Sequence, residues 1–443
     1  MIEQVLQLLQ ARKYAQVKAA ALHMHYADIA EIFDRLGDDR ESAMLLFRLL
    51  PKELAAEVFA YMEPDTQEQI IGAITDRELR FILDDLYLDD YVDLIEEMPA
   101  NVVKRLLRNS SGENRKLVNQ YLQYPDDSAG SIMTNEYVYF KQTVTVGQAL
   151  ELIRKTGIDK ETINNCYVID QQHRLEGVVG LRELILANPD TVVSHIMRTN
   201  VICVNTHDDQ EEVAQMFSKY DMLSMPVADN ENRLVGIITI DDVIDVMQDE
   251  TTEDMEKMAA ITPSDKPYLR TGVWETWKSR IPWLLLLMVS ATFTSMILLR
   301  FEKALSTALI AFIPMLMDTG GNSGSQSSVT IIRSLSLGDI AFSDLLRVLW
   351  KEVRVALLCG VTLAVCNFAK LMLLDRVGLA VSLVVCITLV CTVFFAKVVG
   401  CTLPMLAKKL GFDPAVMASP FITTIVDAAS LLMYVKISLS FLG

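Results

Sequence analysis

Two oxygen-bearing stretches stand out in an otherwise apolar half of the chain. Ser419-Pro420-Phe421-Ile422-Thr423-Thr424-Ile425-Val426-Asp427 puts a carboxylate near the middle of an apolar run, 415–442, whose only other charge is Lys436. An ionised Asp in hydrocarbon costs about 2.5–3.5 kcal/mol on insertion scales, so such a residue normally faces a water-filled path or a partner charge. Asp427 is the first candidate for an ion site, with Thr423 and Thr424 as lining residues one turn before it. The second stretch, Pro314–Gln326, holds Asp318, Gly320, Gly321 and Asn322 and is too polar to face lipid. Non-helical backbone at membrane depth is tolerated only where protein buries it or where it lines a cavity. A broken, carbonyl-lined segment and a cation pathway are therefore expected here.

Charge separates the two halves. Residues 1–260 carry 24 Lys+Arg against 47 Asp+Glu, a net of −23, while residues 261–443 carry 16 against 10, a net of +6. An acidic half on a basic apolar half excludes nucleic acid, whose phosphates need basic patches, and suits a cation as partner. The seven Cys include no C-x-x-C pair, and those at 359, 366, 386, 391 and 401 read as small buried hydrophobes. His23 and His25 are the one close His pair and lack neighbours at zinc-ligand spacing. No Ser/His/Asp grouping or P-loop is present, so the chain is not expected to be an enzyme. No positively charged start leads into an apolar core, so no cleaved signal is expected and the acidic half stays cytoplasmic.

The elements that must position these groups follow in order. Residues 1–128 show apolar residues at three- and four-residue spacing, as in Ile29, Ile32, Phe33 and Leu36, with Pro51, Pro64 and Pro99 each separating two helices. Short helices stacked in this way predict an all-α superhelical domain. It carries the run Asp84-Asp85-Leu86-Tyr87-Leu88-Asp89-Asp90-Tyr91-Val92-Asp93 followed by Glu96-Glu97. Such a run is either a solvated helix face with an N-cap among the aspartates or a divalent-cation face, because clustered carboxylates repel until a cation bridges them.

Residues 129–251 contain a duplication. Cys166–Ile185 is repeated as Met225–Ile244, with Gly177 and Gly236 in matching positions, and each copy has a lead-in, Ile132-Met133-Thr134 and Ile196-Met197-Arg198. The pattern is strand, polar turn, strand, helix. It resembles a tandem pair of α/β CBS domains, 132–190 and 196–251. That resemblance implies regulation of an attached machine and ATP in a cleft between repeats. The ribose-holding Thr-x-x-Asp is present as Thr239 and Asp242 and degraded to Gly180 and Glu183 in the first copy.

Residues 245–270 read as an acidic connecting helix in which Val246, Met247, Met255, Met258 and Ala259 form one stripe. From 271 onward the chain reads as a five-helix transmembrane domain. Trp274, Trp277 and Trp283 mark the interface before the uncharged Ile281–Leu299 run. Further runs lie at 304–332, broken at the glycines, 345–374, 377–404 and 415–442. Lys266, Arg270, Lys278 and Arg280, the Arg333–Arg354 connection and Lys408-Lys409 outweigh Arg300, Lys303 and Arg376 of the alternate loops. The bias puts the N-terminus in the cytoplasm and the C-terminus outside an inner or plasma membrane.

This order of domains, with Gly320-Gly321-Asn322 and Pro420-x-x-Thr-x-x-x-Asp427, resembles the MgtE family of magnesium channels over essentially the whole chain. The resemblance implies a homodimer in lipid whose pore runs along its two-fold axis, with Asp427 of each subunit holding hydrated Mg2+. The position before Pro420, Asn in many relatives, is Ser419 here. It also implies a sensor in which Mg2+ on the acidic faces shuts the pore, with Asp89, Asp90, Asp93, Glu212, Asp242, Asp245, Asp249 and Glu253 as its ligands. Self-repulsion in a region of charge −23 accords with that reading. Two alternatives remain open. One is a carrier of another divalent cation such as cobalt or manganese. The other is a membrane-anchored CBS sensor that transports nothing, in which Asp427 pairs with Lys370, Lys397 or Lys436.

Overall fold

The computed structural model describes residues 1–443 apart from 38, 265–267, 269–270, 302–306, 418 and 443. Lys266, Arg270, Lys303 and Ala304, used above for charge bias and span limits, lie outside the described residues. The chain divides into two compact units, Met1–Val246 and Met247–Gly443.

The first unit opens with α1 (Ile2–Gln10), α2 (Tyr14–Ala21), α3 (Tyr26–Leu36), α4 (Arg40–Leu49), α5 (Lys52–Ala60), α6 (Pro64–Ala73), α7 (Asp76–Asp85), α8 (Leu88–Glu97), α9 (Ala100–Asn109) and α10 (Gly112–Tyr121). Proline sets several starts: Pro51 and Pro99 precede α5 and α9, and Pro64 opens α6, where its missing N–H costs nothing. Thr75 starts α7 by a reciprocal cap, its hydroxyl accepting from Glu78 N at 3.3 Å while Glu78 Oε2 accepts from Thr75 N at 2.8 Å. Helices pack on their second neighbours: α1 on α3, α3 on α5, α5 on α7, α7 on α9, and α2 on α4 and α4 on α6. Two such rows give each short helix the apolar partner it lacks alone.

Two three-stranded sheets follow, β1 (Tyr137–Lys141), β2 (Thr162–Ile169) and β3 (Leu175–Gly180), then β4 (Val204–Asn205), β5 (Ser224–Ala228) and β6 (Leu234–Thr239). In each the first pair is parallel and the second antiparallel. The helices of this region are α11 (Val146–Thr156), α12 (Leu181–Leu186), α13 (Gln210–Tyr220) and α14 (Ile240–Met258). The lead-ins cross over. Thr134 exchanges both backbone hydrogen bonds with Ile237 of the second copy at 2.8 Å, and Arg198 does so with Val178 of the first at 2.9 and 3.0 Å. The matched glycines make room for them: a Cβ on Gly177 would stand 2.7 Å from Met197 Sδ, and one on Gly236 2.6 Å from Met133 Sδ. Each repeat is thus completed by the segment that precedes the other.

The second unit contains α15 (Val273–Phe301), α16 (Thr307–Ile310), α17 (Ile313–Ser336), α18 (Leu345–Leu373), α19 (Leu379–Lys409) and α20 (Ser419–Leu442). Four helical stretches are long and apolar enough to cross a membrane: Val273–Phe301, Phe342–Leu373, Leu379–Lys409 and Pro414–Phe441. Among the described residues this is one fewer than the five spans expected. The missing one is α17, which is long enough, about 36 Å for its 24 residues, but too polar.

Four further expectations are corrected. The Gly-rich stretch is not a break: α17 is helical throughout Ile313–Ser336, so the carbonyls at its centre are used within the helix. The acidic connecting helix is not a separate element starting at 245, since α14 begins at Ile240 as the last helix of the second repeat and ends at Met258. Its apolar residues do not form one packed stripe. Val246 is buried and Met258 packs on Ile332 and Ala415, whereas Met247, Met255 and Ala259 are exposed. Of the five membrane-half cysteines, Cys386 and Cys401 are buried, Cys359 and Cys391 are partly covered, and Cys366 is exposed.

Candidate cation sites

In the apolar unit the glycines of α17 are contact points. A Cβ on Gly320 would stand 2.6 Å from Thr392 Cγ2 and 2.9 Å from Val426 Cγ1. One on Gly321 would stand 2.9 Å from Thr423 Cγ2, and one on Gly324 2.7 Å from Ile422 Cγ2. Gly400 of α19 in turn abuts the Gly324 carbonyl. Small residues let helix backbones approach closely where lipid gives no hydrophobic drive between helices. Asp427 is set beside this crossing by Val426.

Asp427 is half-buried, and Asp318 of α17 acts on it electrostatically. Neither has an ion-pair partner among the described residues. Lys370 instead pairs with Asp375 at 2.9 Å and Lys397 lies 3.8 Å from Glu352, so two of the three lysines considered as partners of Asp427 are engaged elsewhere. Gly320 and Gly321 are buried, while Asp318 and Asn322 are exposed. Asp318, Asn322 and Gln326 line a cleft of about 520 Å³ with Leu358, Thr362 and Lys397. Thr423 and Thr424 donate their hydroxyls to Pro420 O at 2.9 and 3.0 Å, the local back-bonding typical of Thr in a helix.

In the first unit the acidic run is divided between two helices: Asp84 and Asp85 end α7, and Asp89, Asp90 and Asp93 lie in α8, whose N-cap position is Tyr87. Burial, then Asp90, raises Asp89 to about 7. Burial, then Asp242 and Glu57, raises Asp90 to about 7. Asp93 is raised to about 8 by partial withdrawal from water and then by Asp89 and Asp90. Asp242 of α14 reaches about 7 through burial and Asp89, although Thr239 donates to it at 2.8 Å. Glu161 reaches about 8 through burial and Asp89, and its Oε2 has no hydrogen-bond partner. The strongest charges on these five groups are all carboxylates.

The other sensor candidates are placed differently. Glu212 is exposed on α13 and is not among the charges acting most strongly on the α8 aspartates. Asp245 is raised by burial and then Asp241. Asp249 is exposed. Glu253 lies 2.5 Å from Lys257, which also reaches Asp413 at 2.7 Å. Burial alone would lower the Lys257 ammonium, but hydrogen bonds to Asp413 and Glu253 outweigh it and raise it. Among the described residues no group of three or more His, Cys, Asp or Glu is arranged to hold a metal ion. Water-mediated holding by one or two carboxylates is what remains open to a small, strongly hydrated cation.

Sequence reasoning missed Glu57, Glu136 and Glu161, which come from distant segments without an acidic run to mark them. It also missed Ser327, although Gly320, Gly324 and Ser327 form a small-residue row at helical spacing.

These features define a membrane protein with a helical acidic domain and paired CBS repeats on its N-terminal side. Family models match three regions: the MgtE intracellular N domain over residues 24–127, the CBS domain over 129–190 and 193–249, and MgtE, described as a divalent cation transporter, over 313–437. A Thermus thermophilus protein named magnesium transporter MgtE is 39% identical over 94% of this chain and 92% of its own length. A Bacillus subtilis protein of the same name is 32% identical over 100% and 97%. The chain belongs to the MgtE family of magnesium transporters. Among solved structures, the cytosolic domain of the Mg2+ channel MgtE in complex with ATP matches with a TM-score of 0.53 and 37% identity. That match covers 56% of this chain and 100% of the other.

Proposed function

We propose that this chain is a magnesium-selective channel, working as a homodimer in the cell membrane, whose conduction is shut by intracellular Mg2+ bound to its acidic cytoplasmic unit. The observation that carries the reading is the contrast between Asp427, a carboxylate with no ion-pair partner among the described residues of an apolar bundle, and the lysines Lys370 and Lys397 that engage other acids of that bundle. Asp427 holds hydrated Mg2+, with Asp318 and Asn322 at the approach. The α8 aspartates with Asp242 and Asp245 form the main sensing face, and Asp249 and Glu253 are sensing ligands of the second unit. Glu212 is a further sensing ligand on α13.

α17 serves as the fifth crossing, shielded from lipid by its neighbours, which puts the C-terminus on the side opposite the cytoplasmic N-terminus. The exposed apolar side chains of α15, such as Leu284, Met288 and Phe293, meet lipid. ATP binds at the second CBS repeat through Thr239 and Asp242, as the ATP-bound cytosolic domain of the related channel supports.

The test is Mg2+ influx into liposomes for the native chain and Asp427→Asn, at low and then high Mg2+ on the cytoplasmic side. Native flux that is lost in the variant and suppressed by high cytoplasmic Mg2+ is the expected outcome. Absent native flux, or unchanged conduction by Asp427→Asn, returns the anchored-sensor reading. Preference for Co2+ or Mn2+ over Mg2+ returns the other-metal carrier.

A further inference from the structure

Glu352 and Lys397 are two enclosed charges of the apolar unit, and Glu352 belongs to none of the sites described above. Their side chains are 13% and 6% exposed. Ser327 of α17 joins them, donating to Glu352 Oε2 at 2.6 Å and accepting from Lys397 Nζ at 3.2 Å, while the two charges stand 3.8 Å apart. A hydroxyl between a carboxylate and an ammonium can satisfy both only in this direction, because the carboxylate only accepts and the ammonium only donates. The network ties α17, α18 and α19 together.

Lys397 has a second position in the fold. It lines the 520 Å³ cleft that Asp318, Asn322 and Gln326 edge, whereas Glu352 does not. The charge presented to the cleft from this network is therefore the ammonium. A cation that enters the cleft meets Asp318, which is exposed, and finds the buried acid already neutralised. The cleft has room for a divalent ion with six waters, roughly 180 Å³ at about 30 Å³ for each water. If the lysine were removed, Glu352 would keep only the Ser327 hydroxyl, and a buried unpaired carboxylate strongly favours taking up a cation.

We infer that Lys397 is a specificity-determining residue for transport: a tethered cation that occupies the Glu352 site, so that divalent ions pass the cleft without being trapped there. Conduction requires binding that is strong enough for entrance and weak enough for exit, and an extra buried carboxylate beside the path would break that balance. This rests on the transport reading above.

The experiment compares Mg2+ flux against Mg2+ concentration for the full-length native chain, Lys397→Met and Lys397→Met/Glu352→Gln in liposomes. For each, the shift of Tm on adding Mg2+ is measured in detergent. Lys397→Met should lower both half-saturating Mg2+ and maximal flux about tenfold, and should gain a larger Mg2+-induced Tm rise than native protein. The double variant, which has no acid to trap the ion, should recover both flux parameters to within about twofold of native.

A purely structural network predicts something else: single and double variants lose flux and Tm together, with half-saturating Mg2+ unchanged, and that result overturns the inference. If the native chain carries no Mg2+, the transport reading fails. The lysine's role is then decided by the Tm shifts alone, and equal Mg2+ responses of native and Lys397→Met would end it.

Discussion

Two groups of acids, one around α8 and one in the second unit, are neutralised in opposite ways. Around α8 the strongest charged neighbours of Asp89, Asp90, Asp93, Asp242 and Glu161 are other carboxylates, and partial withdrawal from water together with that repulsion raises all five above the ordinary range. In the second unit Glu253 and Asp413 share Lys257, Glu352 has Lys397, and Asp375 has Lys370. The first arrangement stores repulsion that an outside cation can relieve, whereas the second carries its own cations on short tethers. Asp427 and Asp318, set within the apolar helices, have no such ion pair among the described residues, which is the ground for proposing them as ion-handling acids. An acidic residue in this chain is informative only together with what faces it.

The comparison breaks most visibly where packing decides it. Gly324→Val should cost about 3 kcal/mol or more, because its Cβ meets Ile422 and the Ala396 carbonyl. Detergent thermal melts should show that loss in the apolar unit, with flux abolished. A tolerated substitution would mean that the α17–α20 crossing is looser than the geometry requires.

Next in size, Asp89→Asn/Asp90→Asn/Asp93→Asn should raise Tm at pH 8 in EDTA by about 4–8 °C, since it removes repulsion rather than contacts. The same variant should lose most of the stabilisation that Mg2+ gives native protein. A fall in Tm would show that these carboxylates hold the fold together instead.

The pH dependence sharpens the same point. Asp89 and Asp93 titrate near 7 and 8 in the folded chain against an ordinary 3.8. The folded state therefore holds more protons than the unfolded one between these values, and its stability falls as pH rises from about 4 to about 8. Mg2+ competes with those protons, so half-saturating Mg2+ for stabilisation should drop between pH 6 and pH 8. Calorimetric titration at the two values checks it, and a flat response would remove the cluster from the sensor.

The smallest effect is expected from Lys257→Met, which turns the Glu253/Asp413 pair into a site of the α8 kind. It should add a Mg2+-dependent stabilisation of about 1 kcal/mol at most, because these groups are partly solvated. Absence of any added response would place the ion pair's role in packing alone.

Much of the architecture was legible because it rests on local rules. Prolines marked helix starts at 51, 64 and 99, and the repeat of Cys166–Ile185 as Met225–Ile244 announced two matching sheets. Gly320, Gly321 and Gly324 were legible as unusual but were misread as a break. A helix of small residues becomes stable once neighbours pack against it, and its sequence does not contain those neighbours. Glu161 and Glu57 could not be assigned to the α8 face for the same reason: nothing in their own segments shows which acids they meet.

The sequence by itself determined the acidic and basic halves, the apolar lengths, the duplicated strands and the unusual position of Asp427, all properties of consecutive residues and their spacing. Tertiary structure alone decided that the glycines are contact points, that each lead-in completes the opposite repeat, and that particular lysines neutralise particular acids. Close approach and electrostatic pairing depend on distances between segments far apart in the chain, and those distances exist only after folding.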